Sequence, residues 1–186
     1  MSSSSEIAAE VTAVLRSLRG IWDEPTVDEL DHAMQAGWHA RADGAPDDLV
    51  LATVLHDVGR SPLVPGPEPH DRIAREWLTP RFGARVGWLA GAHVAAKRFL
   101  AATESGYAAG LSETSVDSLA HQGGAGGVDA SWTAHPWWPD AIRLRRYDDA
   151  AKVVGAPGMV IAEAAILAAR IAGRSVIEPR PGGMSW

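Results

Sequence analysis

The apolar positions of this chain recur at the three- and four-residue spacing of helices, and no stretch keeps the two-residue alternation of a strand. Ile7, Val11, Val14, Leu15 and Leu18 predict a first helix over residues 6–19, capped by Ser5, stopped at Gly20 and preceded by a frayed leader at 2–5. Leu30, Met34 and Trp38 share one face of a second helix, 26–42, which opens at Pro25 and turns His32 and Gln35 elsewhere. The third, 47–58, carries Leu49, Val50, Leu51, Ala52, Val54 and Leu55, apolar nearly all round as a buried helix is. Proline and glycine at 62, 65, 66, 67 and 69 break regular structure across 61–69. Beyond them the pattern gives helices at 70–78, 84–100, 111–122 (capped by Ser112), 140–152 and 159–173, the last Ala-rich and expected to pack on the first. Trp132, Trp137 and Trp138 mark an aromatic loop at 131–139, and the Pro/Gly-rich 178–186 reads as a loose tail. The expectation is an all-α domain of seven to nine helices, one unit over 1–186 with its core at about 6–174.

Composition narrows the chemistry. A formal charge of -6 and a pI near 5.6 argue against a nucleic-acid-binding surface, which is normally basic. Cysteine is absent, so disulfides and thiolate metal sites are excluded and any metal must be held by histidine and carboxylate. The first ten residues have neither a basic nor an apolar signal region, and no apolar run approaches the ~20 residues that span a bilayer. A cytoplasmic protein without membrane partners is expected, with a homodimer as a possible assembly.

The buried run of the third helix ends in His56-Asp57, and both groups need partners because unpaired polar groups in a core are costly. A metal ion suits an imidazole beside a carboxylate, and the chain supplies more of both. His32, His56, His70 and His93, with Asp57 and Asp148, fall on or beside expected helices. Four imidazoles and two carboxylates can hold two metals if one carboxylate bridges, and Asp57 is placed to do so. Such ligands suit Fe, Mn, Zn or Co without choosing among them. Lys97 follows His93 by one helical turn, Lys152 follows Asp148 likewise, and Arg60 follows His56 by four. Three cations beside a dimetal site point to an anionic or polyhydroxylated substrate. Ser115, Ser118 and Gln122, at i, i+3 and i+7, add a polar stripe that could donate to the same anion. Each of these features taken alone is matched by a bland reading, a solvated helix face.

His32, then His56-Asp57, then a late Asp148 resembles the pattern of the HD-domain superfamily, and the signal is narrower in the segments DHAMQ (31–35), HDVGR (56–60), HVAAKRFL (93–100), LSETSVDSLAHQGG (111–124) and LRRYDDAAK (144–152). Within it they resemble the PhnZ-type HD-domain diiron oxygenases, a group related to myo-inositol oxygenase that cleaves the C–P bond of hydroxylated organophosphonates. The likeness covers about 24–152, in order. It implies an HD-domain helical bundle and a mixed-valent Fe(II)/Fe(III) pair held by His32, His56, Asp57, His70, His93 and Asp148, with Asp57 bridging. Asp148 is favoured over Asp149 because the family's ligand precedes a substrate-facing lysine by one turn, and Lys152 fits that register. Arg60, Lys97, Ser115, Ser118, Gln122 and Lys152 would then bind a hydroxyphosphonate, which O2 converts to a carboxylic acid and phosphate.

Two departures stand out. Members often carry a tyrosine and a glutamate ahead of the first ligand to receive an amino or ammonium group, whereas residues 20–24 here read Gly-Ile-Trp-Asp-Glu. Trp22 and Glu24 are therefore expected to line the substrate's tail, the indole favouring a methylated ammonium over a primary amine. Arg60 stands where relatives more often carry histidine or lysine. The alternative is an HD-domain metal-dependent phosphohydrolase acting on a nucleotide or other phosphate ester, marked by Mn, Ni or Mg instead of two irons. A non-catalytic helical module would have lost ligands, and none is lost.

Overall fold

Nine α-helices and no strands make up the described residues, 3–67 and 69–175, of the computed structural model. They are α1 Ser4–Ser17, α2 Glu29–Ala42, α3 Asp47–Val54, α4 His70–Phe82, α5 Ala84–Thr103, α6 Glu113–His121, α7 Ala130–Thr133, α8 Trp138–Ala150 and α9 Ile161–Ser175. Helix α5 is the hub. It lies antiparallel to α4, packed closely enough that a Cβ on Gly87 would fall 2.1 Å from Thr79 Oγ1, and its other sides meet α3 and α8. Helix α2 closes over α3 and α8, and α9 packs on α1 as the pattern of the two helices predicts. Leu15, Leu49, Leu51, Leu55, Leu78, Leu89 and Leu144 are wholly buried where these helices meet, each worth roughly 1.5–3 kcal/mol of burial. No helix among the described residues is long and apolar enough to cross a membrane.

Several expected boundaries move, each for a local reason. Helix α1 starts within the expected leader, because Ser3 rather than Ser5 caps it in a reciprocal box with Glu6. Helix α2 starts at Glu29 rather than 26, since the Asp28 carboxylate accepts from Asp31 N at 3.0 Å while Gly20 N and Arg19 hold it in place. Helix α3 stops at Val54, so His56 and Asp57 lie in the turn beyond it, before a 3-10 turn at Val58–Arg60. Helix α4 runs past 78 and through Pro80, which is exposed, and ends at Gly83 with a φ of 90°. The expected aromatic loop overlaps the short α7 and the start of α8.

Helix α8 ends at Ala150, so Lys152 is not on it, contrary to the one-turn register expected with Asp148. The cause is α2: His32 Nδ1 takes the Ala151 carbonyl at 2.9 Å, and Gln35 pairs with both the N–H and the carbonyl of Val153. The expected tail at 178–186 lies outside the described residues.

Candidate metal centre and anion pocket

Five elements bring the six candidate ligands together: α2 carries His32, the turn after α3 carries His56 and Asp57, α4 and α5 carry His70 and His93, and α8 carries Asp148. All six are buried, although four are imidazoles and two are carboxylates. The two oxygens of Asp57 face different neighbours. Oδ2 lies 3.1 Å from His56 Nε2 and 3.7 Å from His32 Nε2. Asp148 completes that group, 3.4 Å from His32 Nε2 and 3.3 Å from His56 Nε2. Oδ1 lies 3.2 Å from His70 Nε2 and 3.6 Å from His93 Nε2, and those two nitrogens are 3.1 Å apart. Donor separations near 3–3.7 Å are the edges of a coordination shell whose bonds run about 2.0–2.2 Å.

The rings are aimed by what binds their far sides. His32, His56 and His93 each pair Nδ1 with a backbone carbonyl, of Ala151, Thr53 and Ala90 respectively, at 2.9, 2.7 and 2.6 Å. A proton fixed on Nδ1 leaves the Nε2 lone pair for a metal, the usual second layer of a histidine site. Burial pulls His93 well below the ordinary imidazole range, which keeps it neutral as a ligand must be. At His56 burial acts the same way but the charges of Asp57 and Asp148 outweigh it, so its affinity for a proton, and hence for a cation, is raised. Asp57 Oδ1 is buried yet has no hydrogen bond. An acceptor left over between two imidazole nitrogens fits a metal better than it fits water, and the N/O donor set fits iron.

The cavity beside these ligands has a free volume of about 30 Å³ and is lined by Arg60, Lys97, Ser115, Ser118, Gln122, Lys152 and Glu24 from the expected set. Lys97 is buried on α5 and donates to Ser118 Oγ at 2.6 Å. It makes no ion pair among the described residues, and burial pulls its ammonium down to about 8. The other cations are already paired. Arg60 donates to both oxygens of Asp23, at 3.2 and 2.9 Å. Lys152 reaches Glu24 Oε1 at 2.5 Å and also Ser115. Thus Lys97 is the cation left for an anion, with Gln122 Oε1 buried and without a partner nearby on the same wall.

Trp22 departs from expectation. It is 62 % exposed and stands outside the cavity wall, because residues 21–28 make a bend that turns Asp23 and Glu24 inward instead. Four lining residues escape the sequence reading: Asp23, Val27, Glu29 and Arg145. Arg145 is buried, and its guanidinium pairs with Asp148 Oδ2 at 2.6 Å and with Asp149. Glu29 is buried with Oε2 lacking a hydrogen bond, and burial followed by the charge of Asp57 raises its affinity for a proton. Arg145 and Glu29 each lie three residues before a candidate ligand on the same helix, a spacing that would have pointed to them.

No protein-family model matches the chain. Over 148 residues it is 34% identical to hydroxymethylphosphonate dioxygenase of Gimesia maris, covering 74% of this chain and 73% of that one. It is also 30% identical over 132 residues to the glycine-betaine-forming [1-hydroxy-2-(trimethylamino)ethyl]phosphonate dioxygenase of Leisingera caerulea, covering 66% and 67% of the two chains. Both relatives are named as dioxygenases and neither as a phosphohydrolase. The buried His/Asp cluster and these likenesses agree, and the chain belongs to the PhnZ-type family of hydroxyphosphonate dioxygenases.

Proposed function

We propose that the protein is a cytoplasmic diiron oxygenase that uses O2 to split the C–P bond of a small 1-hydroxyphosphonate. The reaction is R–CH(OH)–PO3(2-) + O2 → R–COOH + HPO4(2-), balanced without an outside reductant. The observation that carries this reading is the division of the Asp57 carboxylate, Oδ2 toward His32 and His56 and Oδ1 toward His70 and His93. The names of the two relatives support the substrate class. Two irons, when bound, would supply the redox chemistry and the site where O2 and the substrate hydroxyl meet.

The chain's own residues do the rest. His32, His56 and Asp148 would hold one iron, His70 and His93 the other, and Asp57 would join them. Arg145 keeps Asp148 ionised, since its charge and that of His56 outweigh burial and hold the carboxyl well below the usual range. Lys97 meets the phosphonate, with Ser118 orienting its ammonium at 2.6 Å and Gln122 beside it. Arg60 holds the Asp57 side of the pocket, its Nε 3.7 Å from Asp57 Oδ1. The burial of the ligands and of Lys97 among the helices would limit water at the reacting carbon.

The test is anaerobic iron loading of the purified chain, then exposure to O2 with 1-hydroxyphosphonates. One phosphate released per O2 consumed, with a mixed-valent EPR signal, is the expected result. Light scattering on the same preparation reads whether it is a homodimer. Phosphatase activity with Mn or Mg and no O2 uptake would contradict the reading.

A further inference from the structure

We propose that the ion pair between Glu24 and Lys152 sets substrate specificity by closing the tail side of the cavity, so that the substrate carries no ammonium group and the one-carbon hydroxymethylphosphonate is preferred. This rests on the hydroxyphosphonate reading above.

The pair joins three separate segments across the cavity. Glu24 lies in the bend before α2, Ser112 and Ser115 begin α6, and Lys152 follows α8. Glu24 is buried, and its Oε1 accepts from Ser112 Oγ at 2.8 Å and from Lys152 Nζ at 2.5 Å. Lys152 also donates to Ser115, which spends the ammonium on residues of the wall. A tail ammonium needs an unspent carboxylate at the tail end, and Glu24 there is already held by Lys152 and Ser112; Glu29 Oε2, which has no hydrogen bond, belongs to the end beside Asp57 and Arg60. Asp23 is taken by Arg60 through both oxygens, and Glu29 faces Arg60 Nε at 3.7 Å. Bringing a second ammonium beside Lys152 would bury like charges together, which is unfavourable in a site shielded from water.

A quaternary ammonium has no better place. Its methyl groups bind to aromatic faces or apolar walls. Val27 is the sole apolar side chain lining the cavity among the described residues, and the lining aromatics are the imidazoles of His32, His70 and His93. The indole that could have served, Trp22, faces outward. A substrate with hydrogen in place of a tail asks nothing of this wall. For it the reaction reads HOCH2–PO3(2-) + O2 → HCOOH + HPO4(2-). The C–P bond and one C–H bond break, O2 takes four electrons, and both its atoms end in the products.

The experiment compares hydroxymethylphosphonate, 2-amino-1-hydroxyethylphosphonate and 1-hydroxy-2-(trimethylamino)ethylphosphonate with the iron-loaded full chain. It measures kcat/KM in air and Kd by anaerobic calorimetry. The parent should favour the one-carbon compound at least tenfold in both. Lys152→Met, which frees the Glu24 carboxylate, should raise the ratio of amino to one-carbon kcat/KM at least tenfold; Lys152→Arg should keep the parent ratio. Glu24→Gln added to Lys152→Met should abolish the gain. Lys152→Gln replaces the methionine variant if circular dichroism or iron content shows that the latter fails to fold. Equal preference in the parent, or a ratio unmoved in folded, iron-loaded Lys152→Met, overturns the inference while leaving the reaction class intact. Turnover of none of the three overturns the reaction class, and the calorimetric ratios then decide the inference by themselves.

Discussion

Gly59 sits directly against the carbonyl of His70: a Cβ on Gly59 would lie 2.2 Å from that oxygen. The contact ties the turn that carries His56 and Asp57 to the first residue of α4, and so sets the distance between the two histidine groups. Backbone cannot yield as a flexible side chain does, so Gly59→Ala should force the elements apart. Overpacking of this kind costs about 1–3 kcal/mol. At about 2–4 °C per kcal/mol, Tm should fall by roughly 2–12 °C. Iron content measured on the same sample should drop, with the His70/His93 position emptied first.

Single ligand changes should separate the two positions. His93 approaches Oδ1 of Asp57, whereas Asp57 serves both groups. His93→Ala is expected to lower iron from about two per chain to about one, and Asp57→Ala to remove both. Metal analysis after anaerobic loading reads this directly. Both variants should also lose the rise in Tm that iron gives the parent, since metal binding stabilises the folded state.

Lys97 gives a pH dependence with a definite sign. Burial brings its ammonium down to about 8, so it is charged below that pH and neutral above it. Anionic substrate should bind well below pH 8, then weaken by up to about tenfold per pH unit above it. Anaerobic calorimetry from pH 6.5 to 9.5 should show the fall. Lys97→Met should bind about 10–100-fold more weakly at pH 7, as loss of a charged hydrogen bond implies. It should also lack that fall, with its iron content unchanged.

Arg145 is buried and neutralises Asp148 and Asp149. Arg145→Met leaves both carboxylates without their cation. A loss of about 3–5 kcal/mol in urea unfolding of the metal-free chain is expected. The loss should shrink at acid pH: Asp148 is held well below the usual carboxylate range by the charges of Arg145 and His56, which outweigh its burial, so its contribution disappears as falling pH protonates it.

What could be read from the sequence and what could not divides along physical lines. The helices were legible wherever an apolar face recurs, as in α1 and α9. The grouping of His32, His56, Asp57, His70, His93 and Asp148 was legible because such groups are costly to bury alone, so their recurrence on or beside the helices of the core asks for a common partner. Helix ends were less so: Pro25 and Asp28 are both start signals, and only the Arg19 and Gly20 contacts decide for Asp28. The direction of Trp22 lies in a bend with no periodicity to read. The pairing of Glu24 with Lys152, 128 residues apart, depends on three segments meeting, and no local spacing encodes it.

The most direct test of the dinuclear centre is an iron-edge anomalous difference map from crystals of the chain loaded with iron in the absence of O2. Two peaks about 3.5–4 Å apart are expected, one bounded by His32, His56 and Asp148, the other by His70 and His93, with one oxygen of Asp57 directed at each. A single peak, or two peaks that do not share Asp57, would contradict it.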